Sequence, residues 1–459
     1  MADNFEKTIE IVSGLLEGKV DSFEMYISRS KGLVIEAKDG EVDALRVSDD
    51  SGIGLRILTG PDSTGGTGST GSRPGFASTN LFTEKALSEM VELAIGGSSG
   101  TSEDKALGFA LASPSDGGAE LDSVDSDFDA VTEQEKIEKA INIEQSARDY
   151  DKKVARVRRA SYSESRSFSR TYNSKGVDCS YEGTFFSGSV MAVAEQDGES
   201  QVGWEMGLSH RRSCVDPVVI GRGAGERAVS MLGAKTPGTL KAPAVLENTV
   251  VMDLLGQLAS SFTADNIEKG KSMLGGKLGK KIVAPCINLW DDGLMKGGWS
   301  SSIYDCEGVP SRKTALITGG VCNAFLYDTY WANRTGANST GNGSRGGFKG
   351  APGIGTTNLY IEKGETSLDG LFAEMGKGLF ITELMGVHTI DPVSGEFSVG
   401  ASGLWIENGK VAYPVRGMAI SGELLDIFSK VELIGSDMRF LGSVGAPSLL
   451  IGEISASGS

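Results

Sequence analysis

Histidine is the scarcest chemically useful residue in this chain: only two, His210 and His388, occur in 459 residues. A nucleophile working with a histidine base, or a zinc site built on paired histidines, has almost nothing to draw on. Cysteine is also sparse. The five, Cys179, Cys214, Cys286, Cys306 and Cys322, form no C-x-x-C pair. An odd number without that spacing argues against a disulfide scaffold and a zinc knot, and it predicts reduced thiols in a cytoplasmic protein. No run of eighteen apolar residues exists to span a membrane. The start, "MADNFEKTIEIVSGLLEG", lacks the apolar core of a signal peptide. Basic excess is missing too. A net charge of −17 repels phosphate backbones and anionic lipid, which argues against nucleic-acid and membrane partners.

What is present is glycine, 64 residues, scattered through strand-like segments. The length predicts two or three domains, and the elements predict an α+β class with helices and sheets segregated along the chain. Residues 4–18 carry Phe5, Ile9, Ile11, Val12, Leu15 and Leu16 at helical spacing. An alternating meander follows, punctuated by the turn signals Lys31-Gly32 and Asp39-Gly40. A Gly/Ser/Thr loop spans Gly60 to Phe76, and a helix after Ser78-Thr79-Asn80 ends the N-terminal α+β domain at residue 100. Residues 97–131 are acidic and aperiodic, a linker or mobile crossing segment. A middle α+β domain completes 101–235: the helix in "TEQEKIEKAINIEQSARDYDKKV", alternating segments with a turn at Asn173–Gly176, and a short helix "GAGERAVSMLGAK". Residues 236–459 are predicted as a mostly β, barrel-like domain, with one helical stretch at "NTVVMDLLGQLASSFTAD".

The search for a catalytic set finds little. His210, in "LSHRRSC", has two arginines beside it and reads as an exposed strand end with a structural role. His388 has Glu383 and Asp391 nearby, without the helical spacing of a zinc protease. No G-x-S-x-G elbow and no Walker loop is present. "WANRTGANSTGNGSRGG" reads either as a flexible loop or as a glycine-rich groove in which Arg334, Asn338 and Arg345 meet an anionic or peptide ligand. In "ELMGVHTIDPVSGEFSVGASGLWIENGKVAYPV" we read a strand Gly378–Leu384, a loop Met385–Val399, a strand Ala401–Asn408, a turn at Asn408-Gly409 and a strand Lys410–Val415.

Three segments resemble the TldD/TldE (PmbA) family, described as metallopeptidase-related and formerly as modulators of DNA gyrase. They are "VIEAKDGEVDALRVSDDSGIGLRIL" with "RPGFASTNLFTEKAL", then "YDCEGVPSRKTALITGGVCNAFLYDTYWANRTGANSTGNGSR", then "GLFITELMGVHTIDPVSGEFSVGASGLWIENGK" with its continuation to "LIGSDMRFLGSVGAPSLLIGEISASG". The family has two kinds of subunit. The TldD kind carries H-E-x-x-x-H on a helix, plus a later cysteine, as zinc ligands. The matching helix here, "VMDLLGQLASSFTAD" from Val251 to Asp265, has neither histidine nor glutamate, and no cysteine follows Gly435-Ser436-Asp437. The resemblance is thus to the TldE/PmbA kind. It implies no catalytic residue, no metal and no cofactor in this chain, with zinc in a TldD-type partner of a heterodimer that cleaves unfolded or small peptides. The hairpin reads either as an ordinary core hairpin of the barrel-like sheet or, as the resemblance favours, as one wall of a peptide channel lined by Arg334, Asn338, Arg345, His388, Gly400 and Gly403. The alternatives are a stand-alone peptide-binding or regulatory homodimer, and a metal hydrolase with a different site.

Overall fold

The computed structural model describes residues 2–60, 71–114 and 119–458. Helix α1 (Ala2–Leu16) buries Phe5, Ile9, Val12 and Leu16 along one stripe, as their spacing requires. Strands β1 (Ser22–Lys38) and β2 (Glu41–Thr59) form a long hairpin. Its turn is Asp39-Gly40, where φ is +55° and +80°, the two-residue geometry that matches strand twist. Lys31-Gly32, expected as a second turn, lies inside β1. Gly32 sits between Ser48 and Ser165, and a Cβ there would stand 2.9 Å from the Ser48 Oγ. That glycine serves close approach, not chain reversal.

β3 (Arg73–Thr79) and α2 (Glu84–Ser98) complete the first segment. Most of the expected Gly/Ser/Thr loop falls on residues 61–70, outside the described residues. After α3 (Glu133–Arg148) come β4 (Val154–Asn173), β5 (Asp178–Gln196) and β6 (Glu199–Ser209). The turn at Asn173–Gly176 is as expected, with Asn173 Oδ1 accepting from the Lys175 N–H at 2.8 Å. The next helix starts earlier than expected. α4 runs Pro217–Ser230 because Asp216 caps it and Pro217 opens it, a start signal upstream of the apolar pattern.

All six strands share one sheet in the order β3-β2-β1-β4-β5-β6. β1 pairs with β4 over Glu24–Ala37, so strands from residues 1–100 and 101–235 are continuous. β2 is longer than its outer partner. β3 covers Ile53–Thr59 and leaves Glu41–Ser51 paired with β1 only, among the described residues. One face carries Met25, Ile27, Ile53 and Leu55 under α1 and α2, and Tyr162, Phe186, Val190 and Ala192 under α3 and α4. The other face is polar and half-buried, with rows such as Ser28–Ser169–Tyr181 and Ser30–Ser167–Gly183.

The acidic crossing segment is packed rather than free. Phe109 and Ala110 are buried, and Asn173 Nδ2 donates to the Ala110 carbonyl at 2.9 Å. The Asp125 carboxylate accepts from the Arg212 N–H at 2.9 Å. Buried backbone and side-chain bonds hold this stretch although its composition reads as solvated; residues 115–118 lie outside the described residues.

The C-terminal part holds a closed five-stranded barrel, as its glycine-punctuated strands suggested. Its strands are β7 (Leu240–Leu246), β8 (Gly378–Met385), β9 (Glu396–Glu407), β10 (Lys410–Glu423) and β11 (Leu449–Gly458). β7 pairs in parallel with β8 and antiparallel with β11, and β10 returns to β11 through Met418–Ser421 to close the ring. The Asn408-Gly409 turn is present, with φ +51° and +69°. β9 begins at Glu396 rather than Ala401, because Phe397 and Val399 bury on the barrel side and extend the alternation backwards. A second six-stranded sheet of short strands, from Leu289–Asp292 to Val444–Ala446, adjoins the barrel. Between them lies α5 (Asn248–Ala259), burying Val250, Val251, Leu254, Leu255 and Leu258.

Two glycines test this packing. A Cβ at Gly203 on β6 would come within 2.2 Å of the Ala224 carbonyl of α4, whereas Gly14 on α1 faces open space. Gly203→Val is expected to lower stability by about 1–3 kcal/mol, and Gly14→Ala to raise it by up to about 1 kcal/mol. Denaturant unfolding of both variants measures the contrast.

Candidate functional site

Two regions hold the residues singled out by sequence. The first is the outward face of α5. Its buried stripe leaves Thr249, Asp253, Gly256 and Gln257 on the other side, at helical spacing. The Asp253 side chain reaches solvent, yet neighbouring atoms crowd it. This loss of hydration holds its carboxyl above the usual carboxylate range.

Beside α5 lies the single turn Val387–Thr389, which carries His388 on the surface. The acids near His388 in sequence are committed elsewhere. Glu383 accepts from the Ser402 Oγ across the strand pair at 2.8 Å. Asp391 accepts from the Val393 and Ser394 N–H groups, which hold its carboxyl below the usual range. Gly400 and Gly403 lie within β9, paired on both sides by β8 and β10. A Cβ at Gly403 would approach the Phe380 carbonyl to 2.0 Å, and one at Gly400 the Met385 Cε to 3.1 Å. Their backbone is spent on the barrel ladder.

The second region is the segment 329–347. Arg334 ends the helix Thr329–Thr335, exposed, 3.4 Å from Asp104 and 3.2 Å from the Tyr330 hydroxyl. Asn338 lines a cleft of about 550 Å³ with Phe109, Leu111 and Arg312. Arg345 turns inward. Its side chain is 1% exposed, lies 4.6 Å over the Tyr26 ring and pairs with Glu24, which is as deeply buried. Glu24 also receives Arg56 at 3.2 Å, and Arg56 reaches Glu307 at 3.4 Å. The structure therefore divides the six residues: Arg334, Asn338 and Arg345 lie on the segment beside the N-terminal sheet, and His388, Gly400 and Gly403 in or beside the barrel.

Sequence reasoning missed the acid next to Arg345. Asp305 accepts from the Glu307, Val309 and Gly343 N–H groups at 2.8–2.9 Å. Burial, then the neighbouring Glu307 charge, pushes its carboxyl up to about 7. Burial likewise pushes Asp328 up to about 6 and the Cys179 thiol up to about 12. His210, expected at an exposed strand end, is buried. Its Nδ1 faces the Thr184 carbonyl at 2.7 Å and its Nε2 the Gly298 carbonyl at 3.1 Å, with the Phe185 ring 4.9 Å and the Trp299 ring 5.6 Å away. The adjacent arginines do not crowd it, because Arg211 pairs with Asp122 and Arg212 with Glu164. Its role is structural, joining the sheet to the C-terminal part.

Models of the three PmbA/TldA metallopeptidase domains match residues 23–97, 126–232 and 239–458 in order. This chain belongs to the PmbA/TldD metallopeptidase family. It is 26% identical to the Metalloprotease PmbA of Escherichia coli O157:H7, over 99% of this chain and 96% of that protein. A Thermotoga maritima crystal structure, of a candidate modulator of a DNA gyrase, superposes with a TM-score of 0.88 at 26% identity, covering 99% of this chain and all of that one. TldE from Thermococcus kodakarensis has the same fold, with a TM-score of 0.88 at 22% identity over 99% of this chain and all of that one.

The family name implies a metal, and the donor side chains among the described residues do not fit one. Among the described residues no three His, Cys, Asp or Glu side chains are placed to hold an ion. The outward stripe of α5 offers one carboxylate, Asp253, and no imidazole.

Two outcomes follow. Asp305 holds its proton more tightly folded than unfolded. Its contribution to stability is complete below about pH 4, its unfolded range, and is lost as pH rises through about 7. Asp305→Asn, uncharged throughout, is expected to remove a decline of about 2–4 kcal/mol. Denaturant midpoints at about pH 5.5 and about pH 7.5 should show the wild-type advantage over the variant shrinking as pH rises. In the barrel, Gly403→Val is expected to cost about 1–3 kcal/mol, read as a lowered thermal midpoint.

Proposed function

We propose that this chain is the TldE/PmbA-type, metal-free subunit of a two-chain zinc peptidase acting on unfolded or small peptides. It supplies the interface and one wall of the peptide channel, while hydrolysis belongs to a partner of the TldD kind. The observation that carries this reading is α5. The helix keeps its buried stripe and its seat between barrel and sheet, but its outward positions lack the donors that the metal-bearing kind carries there. Such a helix can serve as a surface beside another chain's metal and cannot seat one itself. The turn bearing His388, packed against α5, extends the same wall. Arg334 and Asn338 stand on the other flank as polar contacts for a peptide. Five unpaired cysteines support a reducing, cytoplasmic setting.

The experiment is co-expression with a family member that carries H-E-x-x-x-H. The expected result is co-purification, hydrolysis of an unfolded peptide by the pair, loss of hydrolysis on chelation, and none by this chain alone with added zinc. Asp253→Arg and His388→Ala should each lower turnover by the pair at least about tenfold. Undiminished peptidase activity of the isolated chain, or failure of the two chains to associate, would count against the reading.

A further inference from the structure

Where the polar face of the first sheet meets the C-terminal loops, the two do not close against each other. A cavity of about 380 Å³ remains, within the range of small-ligand sites. One wall is the sheet. Tyr26, Thr171 and Cys179 form one cross-strand row, with Ser169 and Tyr181 from the next. The other wall is made of short side chains and backbone, from Ser300–Ser302, Gly341–Gly343 and Gly355–Thr357. Phe185 and Trp299, 4.9 Å apart and edge-on, form an aromatic end. Gly183, one row further along, makes room for the Tyr181 ring: a Cβ there would stand 2.3 Å from the Tyr181 hydroxyl.

Two polar groups here have no partner among the described residues. The Tyr181 hydroxyl makes no hydrogen bond, and crowding alone raises its ionisation to about 12. The Nε of Arg345, whose side chain is 1% exposed, donates to nothing. Tyr181 lines the cavity, so its free hydroxyl can donate to a ligand oxygen there, whereas the Arg345 Nε is shielded by its own packing. Arg345 is already paired with Glu24, and burial raises the Asp305 carboxyl to about 7 although three backbone N–H groups donate to it. Below that pH a charged ligand side chain would be buried unpaired, at a cost of several kcal/mol. The lining runs along the strands from the Tyr26 row to Phe185, which ends the row Gly32–Ser165, with the Tyr181 ring over Gly183 between them. A site elongated along the strands suits an extended chain better than a compact sugar.

We propose that this cavity is a binding subsite for a short, uncharged stretch of an extended peptide. A peptide carbonyl accepts from the Tyr181 hydroxyl, and one apolar or amide side chain lies against Phe185 and Trp299. The assignment rests on the peptide reading above and locates the contact on this chain away from α5.

The test uses the full chain without a partner and dye-labelled hexapeptides of Ser and Gly with a central Phe, Gln, Lys or Glu, read by fluorescence anisotropy. The Phe and Gln peptides should bind, and the Lys and Glu peptides at least about tenfold more weakly, roughly 1.4 kcal/mol. Thr356→Trp and Ser300→Trp fill the cavity from the wall opposite the sheet and should each weaken the Phe peptide at least about tenfold, with unchanged melting. Tyr181→Phe should weaken it about three- to tenfold. Wild-type affinity in both filled variants, no binding of any hexapeptide, or displacement of the Phe peptide by maltotriose would each overturn the subsite. If the assembled pair cleaves peptides while this chain binds none, the subsite falls and the subunit reading stands.

Discussion

The ion network at Glu24 decides how the two halves of the molecule sit. Glu24 projects from β1 into a space where water is nearly excluded, and it meets Arg345 from the C-terminal part and Arg56 from β2. Burying such charges gains little net stability over an apolar core of equal volume. What it supplies is position, because a carboxylate stranded without its arginine would be costly, so the docking register is the one that brings Arg345 and Arg56 to Glu24. His210 makes a second tie of the same sort from β6, its two ring nitrogens spanning the carbonyls of Thr184 and Gly298. The cavity between sheet and loops is a consequence of these ties. They fix the separation of the two surfaces, and the small residues in between do not fill it.

Much of the fold was legible because its signals are local. The apolar stripe of α1, the left-handed pairs Asp39-Gly40 and Asn408-Gly409, and the alternation that becomes β4 to β6 all act within a few residues. Glycine misled where its role depends on a distant strand. Gly32 looks like a turn and is a place where β1, β2 and β4 come close. The same limit applies to the candidate site. Arg345 sits in a glycine-rich stretch that suggests an open groove, but its partner Glu24 is more than three hundred residues away. His210 looked exposed because its sequence neighbours are cations, and the acids that take them up, Asp122 and Glu164, are remote. Asp305, whose carboxyl burial raises to about 7, left no mark in the sequence, since burial and not a motif sets it apart.

Helix α5 separates the two uses of one element. Its inward stripe of Val250, Val251, Leu254, Leu255 and Leu258 belongs to the core that joins barrel and second sheet, and that packing fixes where the helix lies. Its outward residues Thr249, Asp253, Gly256 and Gln257 lie outside that buried set. Substitutions there leave the buried stripe, and so the seat of the helix, in place.

The part of β2 that outruns β3 has a consequence for solubility. A strand with bare amide and carbonyl groups on one side is a template on which another chain can stack into a fibril. Val42, Leu45 and Val47 on this stretch are exposed and would favour such stacking. Glu41, Asp43, Arg46, Asp49 and Asp50 punctuate the same run, so a second copy laid alongside would bring like charges into register. The protruding ribbon thus carries its own deterrent to amyloid growth, while in the barrel the pairing of Met418–Ser421 with Ser455–Gly458 covers part of what would be an edge.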